Sequence, residues 1–210
     1  MRVVDLSHLI KENMPVYPGT ASPRIVNNSS VLADGYAEKQ LHLHTHTGTH
    51  VDSPAHMLSD GITLDSLPPD KFMGAALLVD CRGVKVLDQK YLKPYQNRIR
   101  KCEFVIFNTG WSRYWGQEKY YQDFPLLTME AAQLLSGFNL KGIGIDSSSV
   151  DAVGSATYPI HKILFNKNLL IIENLTDLEQ IKADRFTFCC FPLKIQQADG
   201  SPVRAVGIVD

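Results

Sequence analysis

Five of the seven histidines in this 210-residue chain, His42, His44, His46, His50 and His56, fall within fifteen residues, where uniform scatter would leave fewer than one. Imidazole and carboxylate are the usual ligands of zinc, manganese and iron, and a ligand set needs such side chains brought to one point. His46, His50 and Asp52 supply two imidazoles and a carboxylate over seven residues. Gly48 lets the chain turn tightly enough for His50 to approach the same point as His46. Pro54 stiffens the exit and holds His56 at a fixed offset. A divalent ion bound there lowers the pKa of a water from about 15.7 towards 7 and polarises a carbonyl, so the chemistry in prospect is hydrolysis. His42 and His44 read differently, as structural, hydrogen-bonded side chains along a strand.

The elements that must position these groups are legible from periodicity. Residues 38–47 alternate with period two, placing Gln40, His42, His44 and His46 on one face of a strand that runs into a turn at 47–49. Residues 75–80, 104–108, 142–146 and 169–173 are continuous apolar runs, the mark of strands buried on both faces. Residues 3–7 read as a short strand, and 186–193 and 203–208 as strand-like. Pro15 and Pro18 disfavour helix before them and predict a loop over 14–19. A helix is expected over 128–135, capped by Thr128 and closing near Gly137, and another within 155–165 around His161. Strands outnumber helices and are unevenly interleaved with them. The expectation is an α/β fold on a mixed, strand-rich sheet, with residues 1–210 forming one domain, since no repeat or linker divides them.

Composition excludes several classes. A hydrophobic share of 44%, 20% charged residues and a net charge of -1 are ordinary for a globular protein and leave no basic stripe for nucleic acid. No apolar run approaches the roughly 20 residues of a membrane span, and the first residues lack the apolar core of a signal peptide. Cys81, Cys102, Cys189 and Cys190 form no CxxC pair and read as buried, reduced thiols of a cytoplasmic protein. The partner expected is a small molecule. Tyr17, Trp111, Tyr114 and Trp115 lie in loops and offer an aromatic pocket, with core or interface packing as the competing account.

The segment from His46 to His56 resembles the His-x-Gly-Thr-His-x-Asp-x-Pro-x-His signature of the Putative cyclase family, which includes bacterial-type kynurenine formamidases and isatin hydrolase. Residues 14–19, 109–115, 144–151 and 198–205 are similar to further family segments in the same order. The resemblance implies a swivelling β/β/α fold, homodimers or homotetramers, and a centre of one or two divalent ions, zinc foremost and manganese or iron as alternatives. It implies that His46, His50 and Asp52 hold one ion and that Asp52 bridges to a second held by His161 and Glu173, with His56 as the catalytic acid and base. Read from the residues alone, Glu173 ends an apolar strand, a costly place for an unpartnered carboxylate, and a buried ion pair or helix cap also accounts for it and His161. The activity implied is hydrolysis of an amide, formamide or cyclic amide with an aromatic ring, although Tyr17 stands where those formamidases typically carry Trp. A metal-assisted dehydratase or cyclase and a non-catalytic metal- or ligand-binding protein are the rival readings. A serine hydrolase is disfavoured because no Gly-x-Ser-x-Gly occurs.

Overall fold

The computed structural model describes residues 1–209. In chain order its strands begin with β1 (Arg2–Asp5), β2 (Arg24–Ser29), β3 (Glu38–His42), β4 (His50–Asp52), β5 (Met73–Asp80) and β6 (Val86–Leu87). They continue with β7 (Phe104–Asn108), β8 (Leu126–Leu127), β9 (Gly142–Ile145), β10 (Leu170–Glu173), β11 (Arg185–Cys189), β12 (Gly200–Pro202) and β13 (Val206–Val209). Nine of them form one mixed sheet in the order β1-β13-β11-β5-β7-β9-β10-β4-β12. The apolar runs are its centre: β5, β7, β9 and β10 lie parallel, and every residue of β7, β9 and β10 is buried. The flanking strands on both sides pair antiparallel.

Each face of this sheet carries a core. Helices Met129–Ser136 and Pro159–Phe165 cover one face, packing Ala131, Leu135, Leu164 and Phe165 against Phe107, Ile143 and Ile171. Thr128 starts the first helix by accepting the backbone N–H of Ala131 (3.2 Å), and Pro159 starts the second, where its missing N–H costs nothing. The sheet curls over the other face, so that Val4 of β1 and Phe188 of β11 join Val51, Phe104, Ile106 and Ile172. This is the mixed, strand-rich α/β architecture expected.

Three boundaries differ from the sequence reading. The strand expected over 38–47 stops at His42, because β3 pairs only with β2 in a hairpin arm and the chain then leaves it to carry His46 inward. The strand expected over 186–193 ends at Cys189, and only the isolated bridge Pro192–Val203 continues the pairing. The strand expected over 203–208 begins only at Val206, as β13, with β12 a separate short strand before it and Val203 in no more than the isolated bridge. All four cysteines are free and buried. Among the described residues no helix is long and apolar enough to cross a membrane.

Candidate metal centre

Sheet register builds the centre. Strand β4 lies between β10 and β12, with His50 opposite Glu173 and Asp52 opposite Ile171. Residues i and i+2 of a strand share a face, as do directly opposed residues on neighbouring strands. His50, Asp52 and Glu173 therefore project together, while Val51 and Ile172 point into the other core. His50 Nε2 lies 3.2 Å from Asp52 Oδ1 and 3.6 Å from Glu173 Oε2.

His46 arrives from a loop. Gly48 adopts the left-handed backbone (φ +65°) that turns the chain, and Gly200 leaves room on the far side: a Cβ there would sit 2.5 Å from the His46 ring. His46 Nδ1 thereby reaches Asp52 Oδ1 at 2.6 Å. His161 comes from the helix Pro159–Phe165, its Nε2 lying 3.4 Å from Glu173 Oε1 and 4.0 Å from Asp52 Oδ2. Two ligand sets result, His46 with His50 and Asp52, and Asp52 with His161 and Glu173, each with its ligand atoms within 4.8 Å of one another. Asp52 belongs to both.

Each imidazole has an acceptor for its other nitrogen, the outer arrangement that sets ligand tautomer and ring direction. His50 Nδ1–H donates to the Gly48 carbonyl (2.8 Å), His161 Nδ1–H to Asp151 Oδ2 (2.7 Å) and His46 Nε2–H to Asp199 Oδ2 (2.8 Å). Asp151 also accepts the backbone N–H groups of Ile160 and His161, so it caps the helix it orients. His56 sits on a single turn begun by Pro54, with its Nδ1 3.2 Å from the same Asp199 oxygen and its ring 4.0 Å from that of His46.

The sequence model of the Putative cyclase family matches residues 4–152, well over half of the chain. The chain belongs to that family. It is 28% identical over 204 residues to the kynurenine formamidase of Bacillus cereus, covering 97% of this chain and 95% of the relative. Its structure is similar to isatin hydrolase A from Ralstonia solanacearum, with a TM-score of 0.88, 26% identity and coverage of 100% and 92%. A structure described as a potential metal-dependent hydrolase with cyclase activity matches with a TM-score of 0.82, 26% identity and coverage of 98% and 96%. The family match includes His46, His50, Asp52 and His56 but stops short of His161 and Glu173. Register and distance bring those two in.

Electrostatics show that the donor set of this family member fits a cation. Burial opposes charge on His46, yet Asp52 and Asp199 outweigh it and raise the imidazole to about 10. Burial likewise opposes charge on His161, and Asp151, Glu173 and Asp52 raise it to about 10. Asp52, buried too, is held well below the usual carboxylate range by His46 and His50. The cluster demands positive charge, which protons on imidazole supply and which a divalent ion supplies through the same atoms. His56 moves the other way: burial, with repulsion from His46 and His161, outweighs Asp52 and Asp199 and lowers it. The shift favours the neutral imidazole, the form that accepts a proton.

A cavity of about 540 Å³ opens over the centre, with Tyr17, Met57, Trp115, Tyr121 and Tyr158 in its walls beside His46, His50, Asp52, His56, His161 and Glu173. Trp111, expected in the pocket, does not line it. Its indole N–H donates to the Tyr120 carbonyl (3.0 Å) and its ring packs on Tyr114, because Asp146 anchors the start of that turn at the Trp111 backbone N–H. His42 and His44 are exposed and join no ligand set. Sequence reasoning assigned no role to Asp151, Asn174 or Asp199. Asp151 and Asp199 do stand inside the family-like segments 144–151 and 198–205, which was the available signal.

Proposed function

We propose that this family member is a metal-dependent hydrolase acting on a carbon–nitrogen bond other than a peptide bond, in an amide, formamide or cyclic amide bearing an aromatic ring. The observation that carries this reading is the sharing of Asp52 by two imidazole–carboxylate sets beside one aromatic-walled cavity, with His56 adjacent. Similarity to a kynurenine formamidase and an isatin hydrolase supports the bond type. His46, His50 and Asp52 would hold one ion, and Asp52, His161 and Glu173 a second. A bound divalent ion, zinc first and manganese or iron after it, supplies the Lewis acidity that activates water and polarises the carbonyl.

The residues do the rest. Asp199 engages His56 Nδ1, which leaves Nε2 to take a proton from the attacking water and return it to the leaving nitrogen. One C–O bond forms, the C–N bond breaks, and the elements of water are divided between acyl carbon and nitrogen. Trp115, Tyr17, Tyr121 and Tyr158 offer ring faces and edges to an aromatic substrate and exclude water from it. The nine-stranded sheet, which draws on both ends of the chain, supports residues 1–210 working as one domain. Four buried, free thiols support a cytoplasmic setting.

We also propose a homodimer or homotetramer. The β2–β3 arm leaves every residue of β3 exposed and presents Val31, Leu32, Tyr36 and Leu41 to solvent, although a two-stranded hairpin alone is only marginally stable.

Elemental analysis of the purified protein, followed by a screen of formyl-anilides, isatin and lactones with and without chelator, tests the reading. Turnover should require the ion; turnover that survives its complete removal ends the proposal. Product mass separates hydrolysis, which adds water, from a dehydratase or cyclase reaction, which does not.

A further inference from the structure

Asn174 follows Glu173 at the end of β10, is nearly buried, and adopts the left-handed backbone (φ +57°) that asparagine tolerates better than most residues. Its side chain bridges two parts of the site. Nδ2–H donates to the Gly48 carbonyl (2.8 Å), the same oxygen that accepts Nδ1–H of His50. Oδ1 accepts the hydroxyl of the fully buried Tyr120 (2.8 Å). Its main-chain carbonyl accepts the Thr49 hydroxyl (2.6 Å), and that hydroxyl oxygen in turn accepts the backbone N–H of His8 (2.9 Å).

Both routes end on one side chain. The His8 ring stacks on Trp115, with centroids 3.8 Å apart and planes 5° from parallel, and Tyr120 meets Trp115 edge-on at 5.0 Å and 84°. His8 Nε2 is buried and has no hydrogen-bond partner among the described residues, so the ring serves by stacking. Trp115 is a wall of the cavity. It is clamped between two residues that are each hydrogen-bonded, directly or through Thr49, to Asn174.

We propose that Asn174 is a positioning residue that ties the Gly48–His50 turn to Trp115, so that cation uptake and ordering of the aromatic wall are one linked equilibrium. This rests on the metal reading above. A cation that fixes His50 fixes the Gly48 carbonyl, and Asn174 passes that restraint to Tyr120 and, through Thr49, to His8. Linkage is reciprocal: an aromatic ligand seated on Trp115 tightens cation binding by the same factor.

The test uses the full chain with Trp111→Phe, which leaves Trp115 as the sole tryptophan. The chelated protein is titrated with Zn²⁺ while Trp115 emission is followed and zinc affinity is measured by competition with a chromogenic chelator. The parent should show a saturable emission change in step with uptake. Adding Asn174→Gly, which keeps the left-handed backbone and deletes the amide, should leave zinc uptake in place, weaken it about tenfold and abolish most of the emission change. Tyr120→Phe, which removes one hydroxyl and keeps the ring, should move both readouts the same way by less, and it decides the matter if Asn174→Gly does not fold. Parent-like emission and affinity in both variants overturns the role of Asn174. Zinc uptake by the parent without any Trp115 response overturns the coupling alone, and no zinc uptake at all overturns the metal reading with it.

Discussion

His50 and Glu173 are opposed residues of the β4–β10 pair, and this single register brings an imidazole and a carboxylate from 123 positions apart in the chain to 3.6 Å. Slipping β4 by one residue would turn His50 and Asp52 into the apolar core and Val51 into the centre. The candidate ligands and the sheet are specified together.

Glu173→Gln keeps the size of the side chain and removes its charge. The ion held with Asp52 and His161 should be lost and the one at His46, His50 and Asp52 retained, so elemental analysis should show bound ion falling by one per chain relative to the parent. Asp52→Asn, which strikes both sets, should leave none. Full stoichiometry in Asp52→Asn would contradict the shared carboxylate.

His56→Ala removes the proton carrier and no ligand. Turnover should fall by about 10²–10⁴-fold with ion content unchanged. Loss of the ion instead would make His56 a ligand, a role for which His46, His56 and Asp199 stand close enough.

Asp151→Asn keeps an oxygen for the helix N-terminus but weakens the acceptor on His161 Nδ1. Ion affinity, read by chelator competition, should fall about 10–100-fold, and the ion-free protein should lose part of the stabilisation that its raised His161 supplies. An unchanged affinity would mean that Asp151 serves the helix alone.

In the ion-free protein His46 and His161 are both raised to about 10. A raised imidazole contributes its full stabilisation below its ordinary value of about 6.5 and loses it as pH rises through the folded value. Chelated protein should therefore lose Tm steadily from about pH 7 to about pH 10, while ion-loaded protein holds its Tm over the same range. Ion uptake near neutral pH should acidify a weakly buffered solution, since the incoming cation displaces those protons. A flat Tm for the chelated form would refute the charge balance drawn for the cluster.

Gly200→Ala places a methyl 2.5 Å from the His46 ring. The ring must move, at a cost of about 1–3 kcal/mol in stability, and the ion at His46, His50 and Asp52 should bind more weakly than the ion at His161. Parent-like affinity at both would show that the loop carrying His46 yields freely.

Much of this was legible before any coordinates. The four apolar runs are the four parallel strands, because burial on both faces leaves no polar alternation, and the histidine cluster pointed to the stretch from which the fold does gather His46, His50 and Asp52. What escaped depends on long-range pairing. Strand β12 is three residues that include Gly200 and Pro202, too short and too poor in strand-formers to be read, yet it places Asp199 against His46 and His56. Alternation through His44 and His46 misled because the arm β2–β3 is held only by its own hairpin, and nothing forces the pattern to continue past His42. Trp111 and Trp115 differ in exposure to the cavity because Asp146, from the end of β9, ties down one end of a single turn. Four residues of sequence do not reveal that.

Strand β4 is hydrogen-bonded on both edges, and the side chains of His50, Asp52, His161 and Glu173 are all at most 7% exposed, whereas that of His46 is 24% exposed on a loop. All five line the cavity, but four are fixed by a paired strand or a packed helix and only His46 can swing with its loop. With an ion in each set, the one beside His46 would be released as that loop moves, and the one beside His161 only by breaking its bonds to fixed side chains, so the two positions would empty on different clocks.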